Sequence, residues 1–443
     1  MEREELAAYK AIEILESKGY KAYLVGGCVR DKLMGVVPHD FDITTDATPS
    51  ETEKAFSGYR NFGFGKKHGT VTIDIDGFTV EITTFRADGN YSDRRHPDKV
   101  CFSGELRDDL KRRDFTINAI AYNPREGFID FFGGKEDIEK GIIRCVGNAD
   151  ERFGEDALRI LRALRFAAQK NFSVEPGTSE AIIKNRKLLE YVSAERIYSE
   201  LKKTLEGAGA ERILIEYYPV FLNVCGIETD GRTKECCKAM ESYIRFCRIA
   251  GCTQGGIETK LSAFILAVLS YSDLESYLSD RVTGITEKTA VSASEKSLTI
   301  LKNLKSDRRT FVNVSKLIMY LPYPVAATER YARQLLRKFG EEFTQKLLKL
   351  KKTVTYVNGA ENESEKIAQL LGMANDSIKN GECYSLKSLA VNGEDLIRAG
   401  VKPGLPMSEL LDKLLDKVID DQSLNTRGKL LEIAGSEILN EEN

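Results

Sequence analysis

The chain has 443 residues, 42% of them hydrophobic and 30% charged, and carries a formal net charge of −3. At about 100–200 residues per domain this length predicts at least two domains, and the charge balance excludes a uniformly basic nucleic-acid binder while leaving local basic patches open. No run of about 18 apolar residues argues for a membrane span, and the charged start MEREELAAYKAIEILESKGY does not read as a signal peptide. Nine dispersed cysteines without a C-x-x-C, beside three histidines, leave few zinc ligands and suit a reducing, cytoplasmic setting.

In chain order, the periodicity predicts an opening helix over Glu4 to Ser17, then a short apolar strand in KAYLVGG ending in two glycines. CVRDKLMG reads as a helical turn, and DFDITTD as a strand in which Phe41 faces away from Asp40 and Asp42. VTIDIDGFTVEITT reads as a hairpin turning at Asp76-Gly77, and GFIDFFGG as a further strand candidate. KRRDFTINA, taken alone, reads as the start of a surface helix with a basic flank. From about Glu151 onward the pattern is helical: RFGEDALRILRALRFAAQK, a break at Asn171 to Gly177, then SAERIYSELKKTLEG with Ser193 at the N-cap position. The remainder reads as amphipathic helices. The fold class is α+β, a mixed sheet with helices followed by an all-helical portion.

Two like charges on one strand face repel unless a cation neutralises them. Asp40 and Asp42 are therefore candidate ligands for Mg²⁺, with two ions expected, and Glu81 is the candidate third carboxylate on a neighbouring strand. The Gly26-Gly27 turn before a helix allows backbone N–H groups to approach phosphate oxygens, and Arg30 offers a bidentate donor to the same oxygens. Asp74 and Asp76 flank the turn and are expected in solvent. On a continuous helix Asp156 and Arg159 would share a face, and an intrahelical ion pair is the plain reading. The alternative has definite chemistry. A carboxylate accepts the exocyclic amine of cytosine or adenine while a guanidinium donates to the adjacent ring nitrogen, whereas uracil and guanine present the reverse order.

GGCVRD, HDFDITTDATP, RRDFTINA, EDALRILRALRFA and AERIYSEL follow one another in the order found in class II tRNA nucleotidyltransferases, the CCA-adding enzymes, which this sequence resembles over roughly residues 20–205. SLAVNGEDLIRAGVKPGLP resembles the tail of bacterial members more loosely. The resemblance implies a polymerase-β-like nucleotidyltransferase head (1–145), a neck for base selection (146–210), a helical body (211–340) and a helical tail for tRNA binding (341–443). It implies template-independent addition of CCA to tRNA from CTP and ATP, with Asp40 and Asp42 on the metals; Glu81, from the strand reading above, is the further candidate catalytic carboxylate. Gly26, Gly27, Arg30, Arg113, Asp114, Asn118, Asp156, Arg159, Arg162 and Arg165 are then nucleotide-binding, and Glu195 and Arg196 support the base-selecting helix. Lys184, Arg186, Lys187, Arg333, Arg337 and Lys338 are candidate tRNA-binding cations. The long polar stretch Arg86 to Phe115 favours an enzyme that adds A over one that adds only cytidines. Addition of A alone, poly(A) synthesis, transfer to a small molecule and a non-catalytic RNA-binding relative are the alternatives.

Overall fold

The computed structural model describes residues 3–38, 40–62, 69–88, 100–102, 104–227, 236–272, 286–401 and 405–441. The chain divides into two compact units, Met1–Asp230 and Gly231–Asn443.

The first unit opens with α1 (Arg3–Ser17), β1 (Ala22–Val25), α2 (Gly27–Leu33), β2 (Asp42–Thr45), α3 (Pro49–Ala55), β3 (Arg60–Phe62), β4 (Thr70–Ile75), β5 (Phe78–Thr84), β6 (Arg86–Asp88) and β7 (Val100–Phe102). It continues with α4 (Leu106–Lys111), a 3₁₀ turn at Thr116–Asn118, β8 (Ile120–Asn123), β9 (Gly127–Asp130), α5 (Gly134–Lys140) and β10 (Ile142–Ile143). Seven strands form one mixed sheet in the order β3-β4-β5-β2-β1-β8-β9. The interior strand β1 is buried on both faces. Ala22 and Leu24 join Ile43, Val71, Ile73 and Ile82 in a core beneath α1, while Tyr23 and Val25 join Phe85, Leu106 and Leu110 on the other face. A strand covered on both sides must be apolar throughout, as AYLV is.

The hairpin turns where the sequence placed it. Ile75 pairs with Phe78, and Asp76 and Gly77 both take positive φ (55° and 87°), as a two-residue turn with the twist of its strands requires. Its second strand then runs parallel to β2, which sets Glu81 opposite Asp42. KRRDFTINA, however, does not start a surface helix. It ends α4, passes through the buried 3₁₀ turn and feeds β8, an interior strand between β1 and β9. Its apolar positions Phe115, Ile117 and Ala119, and Ile120 just after them, are all inaccessible to solvent, and that burial, not local propensity, decides their conformation.

Helices follow: α6 (Ala149–Glu155), α7 (Leu158–Lys170), the short β11 (Ser173–Val174) beside β10, α8 (Pro176–Asn185), a 3₁₀ segment at Arg186–Tyr191, α9 (Ala194–Leu205), α10 (Ala210–Glu216) and α11 (Tyr218–Val224). Ser193 does occupy the N-cap position of α9, but its side chain makes no capping hydrogen bond.

The second unit is helical: α12 (Cys236–Cys252), α13 (Ile257–Ser272), α14 (Glu287–Asn303), α15 (Arg308–Met319), α16 (Glu329–Phe339), α17 (Glu341–Val357), α18 (Glu361–Lys379), α19 (Gly393–Arg398), α20 (Leu405–Asp420) and α21 (Arg427–Glu441). Ala332, Leu335 and Leu336 of α16 share one core with Leu348 of α17 and Ile367 and Leu370 of α18. The expected body–tail division at residue 340 therefore falls within a single packed cluster. Among the described residues no helix is long and apolar enough to cross a membrane.

Candidate active site

Phe41 is buried in the head core, as its alternation with the aspartates requires. Asp42 is the first residue of β2 and Asp40 stands just before it, outside the strand; both reach solvent. They line a cleft of about 630 Å³ together with Glu81, Phe78, Thr79 and Glu4. A separate cavity of about 460 Å³, lined by Arg144, Cys145, Asn148 and Glu175, contains none of the cleft residues.

The cleft electrostatics follow from crowding. Desolvation by the surrounding protein raises the Asp42 carboxyl above its usual range even though its edge reaches water; Arg113 opposes this and Asp40 adds to it. Glu81 is raised by desolvation and by the charges of Asp42 and Asp40. A divalent cation relieves both. Among the described residues no three Asp, Glu, His or Cys side chains converge as a complete metal site. Two aspartates without a third protein ligand still fit Mg²⁺, which is commonly held by one or two carboxylates with substrate phosphates and water completing the shell.

Gly26 takes φ 79° and caps α2. A Cβ there would lie 3.0 Å from Arg113 Nη1 and 3.8 Å from Asp42 Oδ2, so the missing side chain is what lets the turn sit against both groups. Arg113 is held in place by Asp109, a carboxylate that the sequence reading passed over. Asp109 is fully buried and accepts from Arg112 Nε (2.9 Å) and Nη2 (2.7 Å), from Arg113 Nη2 (3.3 Å) and from Thr44 Oγ1 (3.2 Å). Its i+3 and i+4 spacing to the two arginines on ELRDDLKRRD was the available signal.

Arg30 differs from expectation. Its guanidinium is buried, donating to Asp31 through Nε and Nη2 (both 3.0 Å) and to Asn118 Oδ1 through Nη1 (2.7 Å). It is a structural tie beneath the Gly26-Gly27 turn, because a buried guanidinium must satisfy its donors within the protein. Asn118 Nδ2 donates to Asp114 Oδ1 (3.0 Å), and Asp114 Oδ2 accepts from Arg162 Nε (2.9 Å) and Nη2 (2.5 Å). Burial alone would raise the Asp114 carboxyl; Arg162, Asn118 and the Phe115 N–H outweigh it and hold it below the usual range.

Asp156 and Arg159 do not share the face of one helix. The chain breaks at Asp156 (φ −142°, ψ 103°), whose Oδ1 accepts the Leu158 N–H (3.1 Å) and opens α7 as a new helix. Asp156 Oδ2 accepts from Arg196 Nη2 of α9 (3.0 Å). Arg159 donates to Glu155 Oε2 (2.6 Å) and to the carbonyls of Arg152 and Arg112 (3.2 Å each). The plain intrahelical pair is thus replaced by two separately anchored groups. Arg165 lies 3.1 Å from Glu200 on α9, and burial lowers its pKa against the pull of that carboxylate. Arg30, Arg162 and Arg165 all surround the Phe166 ring, at 5.3, 5.5 and 4.2 Å from its centroid.

The model of the poly A polymerase head domain matches residues 22–144, that of a probable RNA and SrmB- binding site of polymerase A matches 171–217, and that of a putative tRNA nucleotidyltransferase domain 2 matches 288–434. The CCA-adding enzyme of Ligilactobacillus salivarius is 35% identical over 438 residues, covering 96% of this chain and 95% of the relative. The chain belongs to the CCA-adding enzyme family. Another family member, from Geobacillus thermodenitrificans, is 49% identical over 203 residues, 46% of this chain and 50% of the relative. The crystal structure of the Bacillus stearothermophilus CCA-adding enzyme in complex with CTP matches with a TM-score of 0.71 at 28% identity, covering 100% of this chain and 99% of that one.

The cations expected to serve a CCA-adding enzyme on tRNA are mostly engaged within the chain. Arg333 is the clearest correction. It is 5% exposed and donates to the Ile419 carbonyl and to Glu382 (both 2.8 Å), a cross-tie inside the second unit. It sits on the inward face of α16 beside Leu336, so the apparent basic stripe is split by the helix period. Arg337 pairs with Asp412 (2.7 Å) and with Asp416. Lys338 is exposed and lies over the rings of Tyr320, Tyr323 and Phe339. Lys184 pairs with Asp150 (2.8 Å), Arg186 donates to the Ile183 carbonyl (2.8 Å) and Lys187 is exposed. The hairpin aspartates lie at the surface as expected: Asp76 is 65% exposed and pairs with Lys10 at 2.8 Å, and the half-buried Asp74 accepts the Gly77 N–H at 2.9 Å. In the polar stretch Arg86 to Phe115, residues 89–99 and 103 lie outside the described residues.

Proposed function

We propose that this chain rebuilds the 3′ end of tRNA by template-independent addition of C, C and A from CTP and ATP in the cytoplasm. The tRNA 3′-oxygen attacks the α-phosphorus, a new P–O bond forms, the bond to the β-phosphate oxygen breaks, and pyrophosphate leaves. The observation that most supports this reading is the in-register pairing of Asp42 with Glu81, beside Asp40 and the Gly26 turn, in a chain similar to CCA-adding enzymes along its whole length.

Asp40 and Asp42 are the groups that would hold Mg²⁺, with two ions proposed. When bound, the metal supplies charge neutralisation of the triphosphate and a lowered pKa for the attacking hydroxyl. Glu81 adds negative potential beside the pair. The Gly26-Gly27 turn admits phosphate oxygens close to its backbone, and Arg113, held by Asp109, adds positive charge next to Asp42. Asp156 and Arg159 read the base edge, accepting from the exocyclic amine and donating to the ring nitrogen of C or A in exchange for their present protein partners.

The test offers purified protein three tRNAs, lacking CCA, ending after both cytidines, and mature, with labelled CTP and ATP supplied separately and together. Full CCA addition to the first and A addition to the second support the reading. Addition of A alone to the second substrate assigns the narrower activity. Asp42→Ala is expected to abolish incorporation while tRNA binding persists; near wild-type extension by that variant would refute the role given to Asp42.

A further inference from the structure

The side chains that join the head to α7 close a ring. Lys170, the last residue of α7, donates to Asp31 Oδ1 at 2.9 Å. Asp31 receives both Nε and Nη2 of Arg30, Arg30 continues to Asn118, Asn118 to Asp114, and Asp114 to Arg162 on the same α7. Arg162 and Lys170 are eight residues apart, about 12 Å along the helix at 1.5 Å per residue. The helix is therefore gripped at two heights by one chain of ion pairs bridged at its middle by the Asn118 amide. That chain passes through α2, directly behind the Gly26-Gly27 turn, and through the 3₁₀ turn that feeds β8.

One contact fixes a point on a helix; two contacts about 12 Å apart also restrain its tilt. Asp156 and Arg159 stand at the opposite end of α7 from Lys170, so a small change of tilt at the tied end displaces them relative to the cleft. Asp31 is suited to the task. Burial would raise its carboxyl, but Arg30 and Lys170 together hold it below the usual range, so it stays charged at neutral pH. Neither Asp31 nor Lys170 lines the carboxylate cleft.

We infer that Asp31 and Lys170 are positioning residues for nucleotide selection, tying the setting of the base-selecting helix to the triphosphate turn; this rests on the activity proposed above. The wild-type protein is assayed first, and failure of that protein to extend tRNA overturns the proposed activity itself. In an active protein, Lys170→Met, Lys170→Arg, Asp31→Asn and the Lys170→Met/Asp31→Asn double variant are compared. The readouts are kcat and KM for CTP and ATP, misincorporation of UTP and GTP, and thermal midpoint.

Lys170→Met is expected to lower the preference for CTP over UTP about fivefold, mainly through kcat, with tRNA affinity unchanged, and Lys170→Arg to restore it. The double variant should lose little more than either single one, because both remove the same tie. Selectivity and kcat equal to wild type in Lys170→Met, whether or not the thermal midpoint falls, would overturn the inference and leave the pair a plain stabilising contact. Full additivity in the double variant would overturn it as well.

Discussion

Replacing Asp109 by Asn changes almost no volume but removes a buried charge that orders two arginines beside β2. Asp109 is inaccessible to solvent, whereas Arg112 and Arg113 are 16% and 18% exposed, so the freed guanidiniums recover part of their lost interaction from water. Breaking a buried pair costs about 3–5 kcal/mol when the partner is stranded, and a single charged hydrogen bond contributes about 1.5–3 kcal/mol. Partial solvation puts the expected loss near the lower figure, about 2 kcal/mol. For a unit of roughly 200 residues that lowers the first thermal transition by about 4–8 °C. Catalysis should suffer separately. With Asp109 neutral, Arg113 is no longer tethered next to Asp42 and Gly26, and kcat for CTP addition should fall by at least about tenfold.

The same carboxylate carries a pH signature. Burial would raise it, but Arg113 and Arg112 outweigh burial and hold its folded pKa below the ordinary 3.8. Its contribution to stability is therefore complete above the unfolded pKa and is lost as pH falls through the lower folded one. The stability difference between wild type and Asp109→Asn should be constant from about pH 5 to 7 and narrow below pH 4. Calorimetry of the first transition across that range, paired with single-turnover incorporation at pH 7, tests both statements. An Asp109→Asn variant with an unchanged transition and unchanged kcat would refute the reasoning.

Two further substitutions separate architecture from chemistry. Gly26→Ala places a methyl 3.0 Å from Arg113 Nη1 at a φ of 79°, so incorporation should drop by more than about tenfold with the fold intact by circular dichroism; a fully active variant would remove the turn from the site. Arg333→Met should lower the stability of the second unit by about 2–3 kcal/mol through the stranded Glu382, and leave the salt dependence of tRNA affinity unchanged. A reduced salt slope would return Arg333 to the tRNA surface.

Much of the site was legible because it is written in short-range chemistry. The D-x-D spacing forces Phe41 and its flanking aspartates apart, Asp76-Gly77 can adopt the positive φ of a tight hairpin, and β4 and β5 alternate with period two. Those features depend on residues within a few positions of one another. The register that sets Glu81 opposite Asp42 follows once β5 pairs in parallel with β2, and that pairing was only a candidate from sequence. Motif order over roughly residues 20–205 carried the family, and the similarity to a CCA-adding enzyme over 96% of the chain agrees with it.

What the sequence could not supply was the partner of each charge. An arginine in a motif looks the same whether it waits for a phosphate or is spent on a buried carboxylate. Arg30 is taken by Asn118 as well as by its neighbour Asp31, and Arg333 by Glu382 and Ile419; apart from the Arg30–Asp31 contact, each pairing spans elements brought together only by packing. The same holds for KRRDFTINA, where burial beside β1 overrides a local pattern that reads as helix. Sequence by itself determined which groups this protein brings to its cleft. The tertiary structure alone decided which of them remain available there, because packing desolvates them and long-range contacts add to what neighbours in the chain neutralise.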